Sequence, residues 1–106
     1  IADKFRKVET EEIAYFYALE KSVFLKTFEG ISYPVDLSLE NLVSTIDPSM
    51  FFRINRKYIV NIRSIKNMFT WSRSRIKIVL TPLADDDSET IVSIDRAADF
   101  KRWLDK

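Results

Sequence analysis

The sequence predicts a mainly β domain of small antiparallel sheets, with one short interior helix and a second helix at the C-terminus. About seven or eight short runs of β-branched and aromatic residues follow one another, separated by brief polar breaks. Only one interior stretch has the spacing of a helix, whereas a parallel architecture would alternate strands with several helices. Because the breaks between strands are short, the strands are expected to pair mostly as antiparallel neighbours.

The first strands follow a polar start. Residues 1–11 are dominated by charged and polar side chains and predict a frayed end or a partial edge strand. Residues 12–18 carry aromatic or aliphatic side chains on both alternating faces, which predicts a strand buried on both sides. A polar break at residues 20–22 then leads into a second strand over residues 23–28.

A hairpin closes this first group of strands. Glu29-Gly30 is a tight-turn signal and contains the only glycine of the chain. Residues 31–35 form the returning arm. Because Pro34 has no N–H to donate to a neighbouring strand, this arm is expected to lie at the edge of its sheet.

The interior helix is predicted within residues 36–47. Its apolar residues recur at intervals of three and four positions and form one face, which consists of Leu39, Leu42, Val43 and Ile46. Ser38 is a suitable N-cap, and the helix should end at Asp47 because the residue before Pro48 is pushed out of helical geometry.

The second half predicts five further strands and the final helix. The strands cover residues 50–54, 58–62, 65–71, 75–81 and 89–94. Asn61 lies within an apolar strand and is expected to anchor a neighbouring backbone, because a buried amide must be hydrogen-bonded. Asp95 is the predicted cap of the final helix, whose apolar face comprises Ala97, Phe100, Trp103 and Leu104.

The composition restricts the chemistry of this 106-residue chain, which is expected to form one domain, 1–106, excised from a longer protein. Without histidine or cysteine it lacks the commonest general base, the commonest zinc ligand and any thiol. With one glycine it has no phosphate-binding loop, and residues 85–87 are a solvated loop tip rather than a metal site. We therefore predict no enzyme activity, no cofactor, no metal and no small-molecule substrate. The absence of a signal peptide or an apolar span predicts a cytoplasmic location.

Charge is unevenly distributed along the chain. From Arg53 to Lys77 there are eight basic residues and no acidic one, which leaves nine basic and all 16 acidic residues elsewhere. Such a basic block predicts a polyanionic partner. Within it, Asn55, Arg56 and Lys57 interrupt two strands and predict an exposed corner. Arginine and asparagine pair with base edges, so this corner is expected to contact DNA. The alternative is a protein-interaction or regulatory module whose basic face binds an acidic partner.

The run from Phe51 to Asn61, followed by Ile65, resembles the signature of the LytTR DNA-binding domain. That family usually reads Phe-Phe-Arg-x-His-Arg-Ser-Tyr-x-Val-Asn at this place. The resemblance extends over roughly residues 11–106. It implies an elongated domain of small stacked sheets that binds double-stranded DNA with loops in successive major grooves. It also implies the output domain of a bacterial two-component response regulator, preceded by a receiver domain. Whether a second copy binds a repeated half-site is left open.

The resemblance also implies which residues touch DNA. The residues expected to contact bases are Lys21, Ser22, Asn55, Arg56 and Arg96. The resemblance implies phosphate contacts by Arg53 and Lys57, and the basic block adds Arg73 and Arg75 as further expected phosphate contacts. The chain departs from the family pattern where Asn55 replaces the usual histidine and where Ile94 replaces an arginine. Arg96 is the expected substitute for that arginine.

Overall fold

The computed structural model describes residues 7–71, 73 and 75–105, and it confirms the predicted mainly β fold. The domain is elongated, with principal extents of 51 × 26 × 24 Å. The strands are β1 (Ile13–Leu19), β2 (Ser22–Thr27), β3 (Ser32–Val35), β4 (Phe51–Arg53), β5 (Tyr58–Asn61), β6 (Ile65–Trp71), β7 (Arg75–Leu80) and β8 (Ile91–Val92). The α-helices are α1 (Leu39–Val43) and α2 (Ala97–Leu104).

The first sheet has the order β3-β2-β1-β5-β4, so β1 lies at its centre. On one face of β1, Phe16 packs in a cluster with Leu42 of α1 and Phe51 of β4. On the other face, Tyr15 joins the larger core of the domain. Both tyrosine and phenylalanine are almost fully buried, which confirms the prediction that this strand is covered on both sides.

The second sheet has the order β6-β7-β8 and completes the larger core together with α2. Buried residues of β7, β8 and α2 fill this core, and they include Ile78, Leu80, Val92, Phe100 and Trp103. The Trp103 Nε1 donates a hydrogen bond of 2.9 Å to the carbonyl oxygen of Pro48, which ties α2 to the segment before β4. The predicted apolar face of the final helix is therefore confirmed.

The interior helix is shorter than the sequence pattern suggested. Ser38 caps it as predicted, since its Oγ accepts a hydrogen bond of 3.1 Å from the Asn41 N–H. The helix ends at Val43, because the Ser44 and Thr45 hydroxyls donate back to carbonyls of the preceding turn. Val43 is 46% exposed, so its place on the buried face was predicted wrongly.

The two ends of the chain also correct the sequence analysis. Residues 1–6 of the predicted frayed start lie outside the described part, and residues 10–12 form a 3-10 turn rather than an edge strand. The prediction that Asp95 caps the final helix is wrong. Asp95 lies inside a 3-10 turn, Ile94–Arg96, which runs directly into α2 and leaves Arg96 at the cap position without a side-chain cap.

The edge strands of the two sheets differ in length and exposure. As predicted, β3 is an edge strand and contains Pro34. The edge strand β6 has seven residues, and Met68, Phe69 and Trp71 on it are each about half exposed. No helix within the described residues is long and apolar enough to cross a membrane.

Candidate nucleic-acid interface

The interface predicted from the sequence centres on residues 55–57, here called the corner, which connect β4 to β5. Ile54 fixes its base: the side chain has no exposed surface, and the Ile54 N–H donates to the Tyr58 carbonyl at 3.1 Å. The corner then turns outward, so that Arg56 and Lys57 are exposed while Asn55 is half-buried. The predicted exposed corner is therefore present.

Two further predicted DNA-contacting loops lie beside the corner. The β1–β2 turn, which carries Lys21, is adjacent because the Ala18 N–H donates to the Lys57 carbonyl at 2.9 Å. The loop that leads to Arg96 is adjacent because the Ser93 N–H donates to the Ile54 carbonyl at 2.9 Å. The fold thus brings the three loops next to one another. A shallow cleft beside them is lined by Lys21, Ser22, Arg53 and Arg56, among others.

The guanidinium of Arg53 binds the backbone of the corner. Its Nε donates to the Asn55 carbonyl at 3.0 Å, and one terminal nitrogen donates to the Arg56 carbonyl at 3.1 Å. The other terminal nitrogen pairs with Glu40 Oε2 at 3.0 Å. The pKa of Glu40 is lowered, first by a hydrogen bond to its own backbone and then by Arg53. Because only 13% of the Arg53 side chain is exposed, a phosphate contact by this residue would have to replace internal bonds.

Asn55 uses the full hydrogen-bonding capacity of its amide inside the protein. The Oδ1 accepts from the N–H groups of Lys57 and Tyr58 at 2.8 and 3.0 Å. The Nδ2 donates to the carbonyls of Glu89 and Ile91, both at 2.9 Å. An amide has two donors and two acceptor sites, so none is left over. The expectation that Asn55 contacts a base remains a prediction, and such a contact would require these bonds to break.

The side chains of Arg56 and Lys21 are available to a partner. Both are exposed, and within the described residues neither side chain makes a hydrogen bond or an ion pair. Lys57 is also exposed, but its Nζ pairs with Glu89 Oε2. Arginine on an exposed, fixed backbone can form two parallel hydrogen bonds to a planar acceptor pair such as a guanine edge.

The β6–β7 hairpin carries two more arginines, one of which lies beside the loop that begins at Ser93. Ile76 of β7 pairs with Val92 of β8, so Arg75 lies one residue further, beside Ser93. Arg73 follows at the tip of the hairpin with a positive φ of 60° and is exposed. Ser72 and Ser74 of the predicted turn lie outside the described residues.

The basic block is not a uniformly exposed surface. Lys77 is only 8% exposed, and with Lys26 and Lys57 it binds an acidic loop, residues 85–89. Lys26 pairs with Asp85 at 3.3 Å, and Lys77 pairs with Asp87 at 3.1 Å. The alternation of the strand placed Lys77 opposite its apolar neighbours, but nothing in the sequence indicated that the loop after β7 folds back and covers that face.

Asp86 forms the tip of the acidic loop and is exposed, as predicted. The hydroxyl and the N–H of Ser88 hydrogen-bond to its carboxylate and hold its pKa below the ordinary range. Within the described residues, no three or more Asp or Glu side chains are grouped so that they could hold a metal ion.

Two tyrosines beside the acidic loop are held neutral. Burial raises the pKa of Tyr58 to about 12 and raises that of Tyr15 further. The Tyr15 hydroxyl donates to the Pro82 carbonyl at 3.0 Å, so it anchors the start of the loop that leads to residues 85–89. These side chains therefore pack and position, and they bring no charge to the interface.

The predicted role of Asn61 is confirmed at the other end of β5. Its Nδ2 donates to the Ile13 carbonyl at 2.9 Å, and its Oδ1 accepts from the Arg63 N–H at the same distance. The side chain has no exposed surface. It is a structural anchor between β1 and the turn after β5.

Sequence comparisons match the chain to one protein family and to parts of longer relatives. A family model described as the LytTr DNA-binding domain matches residues 3–105. The chain is 30% identical over 93 residues to the Transcriptional regulatory protein YpdB of Escherichia coli (strain K12), covering 88% of this chain and 36% of that protein. It is 30% identical over 97 residues to the Sensory transduction protein LytT of Bacillus subtilis (strain 168), covering 92% of this chain and 38% of that protein. The chain therefore spans little more than a third of these relatives.

The fold matches that of a solved LytTr DNA-binding domain from Bacillus cereus. The TM-score is 0.79 at 22% sequence identity, and the match covers 92% of this chain and 84% of the other. At this identity the likeness shows the fold alone. The family match, by contrast, covers nearly the whole sequence. The chain belongs to the LytTr DNA-binding domain family.

Proposed function

We propose that this chain binds double-stranded DNA sequence-specifically as the output domain of a bacterial transcriptional regulator. The observation that carries the proposal is the unpartnered guanidinium of Arg56, which projects from a corner whose backbone Arg53 and Asn55 hold in place. A fixed backbone with a free arginine is suited to reading a base, because the backbone that carries the arginine does not have to be ordered on binding.

The proposed contacts fall into three groups. Arg56 reads a base edge in a major groove, and the loops that carry Lys21, Ser22 and Arg96 enter the neighbouring grooves. Lys57, Arg73 and Arg75 supply charge to the phosphates. For Arg53 and Asn55 we propose a positioning role in place of the expected direct contact, because their polar atoms already hold the corner.

The wider setting is part of the same proposal. YpdB is named a transcriptional regulatory protein and LytT a sensory transduction protein, which supports a role in a two-component system. We propose that the full protein carries a receiver domain before this one and acts in the cytoplasm, where a second copy can bind a repeated half-site. A family of DNA-binding domains also supports the prediction that the chain is not an enzyme.

The proposal is tested by selecting preferred duplexes from a random library and measuring affinity by fluorescence anisotropy. Arg56→Ala should weaken binding to the selected duplex by roughly 1–3 kcal/mol and relax discrimination at one base position. Lys57→Ala should weaken binding to all duplexes alike and reduce the salt slope by about 0.9. Lys66→Ala, which removes an exposed lysine of the β6 edge, is the matched control and should change neither quantity.

Three results would count against the proposal. They are the absence of any selected sequence, equal affinity of the wild type and Arg56→Ala, and affinity that does not respond to salt. Binding to an acidic protein from the same operon, together with no binding to any duplex, would instead support the interaction-module alternative.

A further inference from the structure

Lys77 is a buried cation within the basic block. It is 8% exposed, and its Nζ donates to the Asp87 main-chain carbonyl and, at 2.6 Å, to the Thr90 Oγ1. The same nitrogen lies 3.1 Å from the Asp87 carboxylate. A lysine whose ammonium is enclosed in this way cannot also reach a phosphate. The ammonium of Lys77 therefore acts on the segment of the protein that it binds, residues 87–90.

Lys77 fixes the Asp87–Thr90 segment against β7. The Thr90 Oγ1 donates to the Ile78 carbonyl at 2.7 Å, and the Ile78 N–H donates to the Thr90 carbonyl at 2.9 Å. Thr90 has no exposed surface. Backbone and side-chain bonds therefore lock Thr90 in one position, and the ammonium of Lys77 satisfies the acceptors that this arrangement buries.

The residues on either side of Thr90 in turn hold the corner. The carbonyls of Glu89 and Ile91 accept both hydrogens of the Asn55 Nδ2. The Asn55 Oδ1 then fixes the N–H groups of Lys57 and Tyr58, on the far side of Arg56. Lys77 is thus connected to the backbone of Arg56 through one loop and one amide. A shift of Thr90 would move both carbonyls together.

We infer that Lys77 is a positioning residue for the corner and controls the sequence discrimination of Arg56 without touching DNA. The inference rests on the proposed DNA-binding function. Lys77 then sets specificity, although its charge and its place in the basic block would suggest a phosphate contact.

The test compares the wild type with Lys77→Met, which keeps the length of the side chain and removes its charge. For each protein, affinity is measured for the selected duplex and for a duplex changed at the position read by Arg56, over a series of salt concentrations. We expect the ratio of the two affinities to fall by about tenfold, within the range that one base pair supplies. The salt slope should stay unchanged, whereas loss of a phosphate contact would reduce it by about 0.9.

Lys26→Met is the matched control. Lys26 is equally buried and binds the same acidic loop, but at Asp85, away from the carbonyls that hold Asn55. Its removal should destabilise the fold and leave discrimination intact. If Lys77→Met does not fold, Thr90→Val removes the hydroxyl at the centre of the same contacts with little change of volume. Either variant should also speed amide hydrogen exchange at Lys57 and Tyr58, a readout that needs no DNA.

The outcomes separate the inference from the function on which it rests. Wild-type discrimination that persists in Lys77→Met or Thr90→Val, with unchanged amide exchange, overturns the inference alone. A lower salt slope with unchanged discrimination overturns it in favour of a phosphate contact. Equal loss of discrimination in Lys26→Met overturns it in favour of a general effect of stability. A wild type without any discrimination overturns the proposed function and the inference with it.

Discussion

Two asparagines flank strand β5, Asn55 three residues before its start and Asn61 at its last position, and they make the same kind of turn. At the start, the Asn55 Oδ1 accepts from the N–H two residues later at 2.8 Å. At the end, the Asn61 Oδ1 does the same at 2.9 Å. Each Nδ2 crosses to another segment, Asn55 to the loop before β8 and Asn61 to the carbonyl of Ile13. Side-chain bonds of this type let asparagine take the place of backbone partners in a turn.

The two turns differ in exposure and therefore in what they do. Asn61 has no exposed surface and joins the buried start of β1 to the turn after β5, so its bonds serve the stability of the fold. Asn55 is half-buried and is followed by the exposed Arg56, so the same bonds give an outward side chain a fixed base. Polar exposure alone does not identify the residue that meets a partner. Unused donors, such as those of Arg56, are the reason that we propose this residue for the contact.

The largest effect is expected at the buried turn. Asn61→Ala would leave the buried Ile13 carbonyl and the partly buried Arg63 N–H without their partner. Two such losses should lower the free energy of unfolding by about 3 kcal/mol, measured by urea denaturation. Asn67→Ala, at an exposed asparagine of β6, serves as the control and should change it by less than about 0.5 kcal/mol. Similar values for both variants would contradict the anchoring role.

A smaller effect is expected at the corner. Asn55→Ala removes four hydrogen bonds, but water can reach this half-buried site and replace part of them. The free energy of unfolding should fall by about 1–2 kcal/mol. The same denaturation series, with Asn67→Ala as reference, checks the value. A change no larger than that of the reference would show that Asn55 has no structural role and would return it to the set of candidate base readers.

The sequence predicted most of the fold because the relevant signals are local. Alternating apolar residues located the strands, Pro34 marked an edge, and Ser38 marked the start of α1, each within a few residues of its effect. The errors were local as well. Asp95 was taken for a cap because the 3-10 turn that contains it has no pattern distinguishable from the first turn of a helix.

The site was harder to predict because its partners are distant in sequence. Asn61 was recognised as an anchor since apolar neighbours on both sides implied burial. Asn55 stands among polar residues, and the carbonyls that occupy its amide lie 34 and 36 residues away. The loop that buries Lys77 is equally unmarked. Periodicity can show that a polar side chain leaves the core, but it cannot show what covers that side chain.

The smallest effect is expected for a change in the acidic loop that alters the side chain of Glu89 and leaves its backbone contact in place. Glu89 holds Asn55 through its main-chain carbonyl and pairs with Lys57 through its carboxylate. Glu89→Gln leaves the first contact unchanged and weakens the second, which is partly exposed, so stability should change by less than about 1 kcal/mol. DNA affinity should rise by no more than about fivefold, because Lys57 no longer has to leave a carboxylate to meet a phosphate. Anisotropy at low salt, where this competition is least screened, is the measurement. A lower affinity would mean that the Glu89 carboxylate itself supports the corner. The corner before β5 would then depend on a charged side chain as well as on an amide, unlike the turn at Asn61.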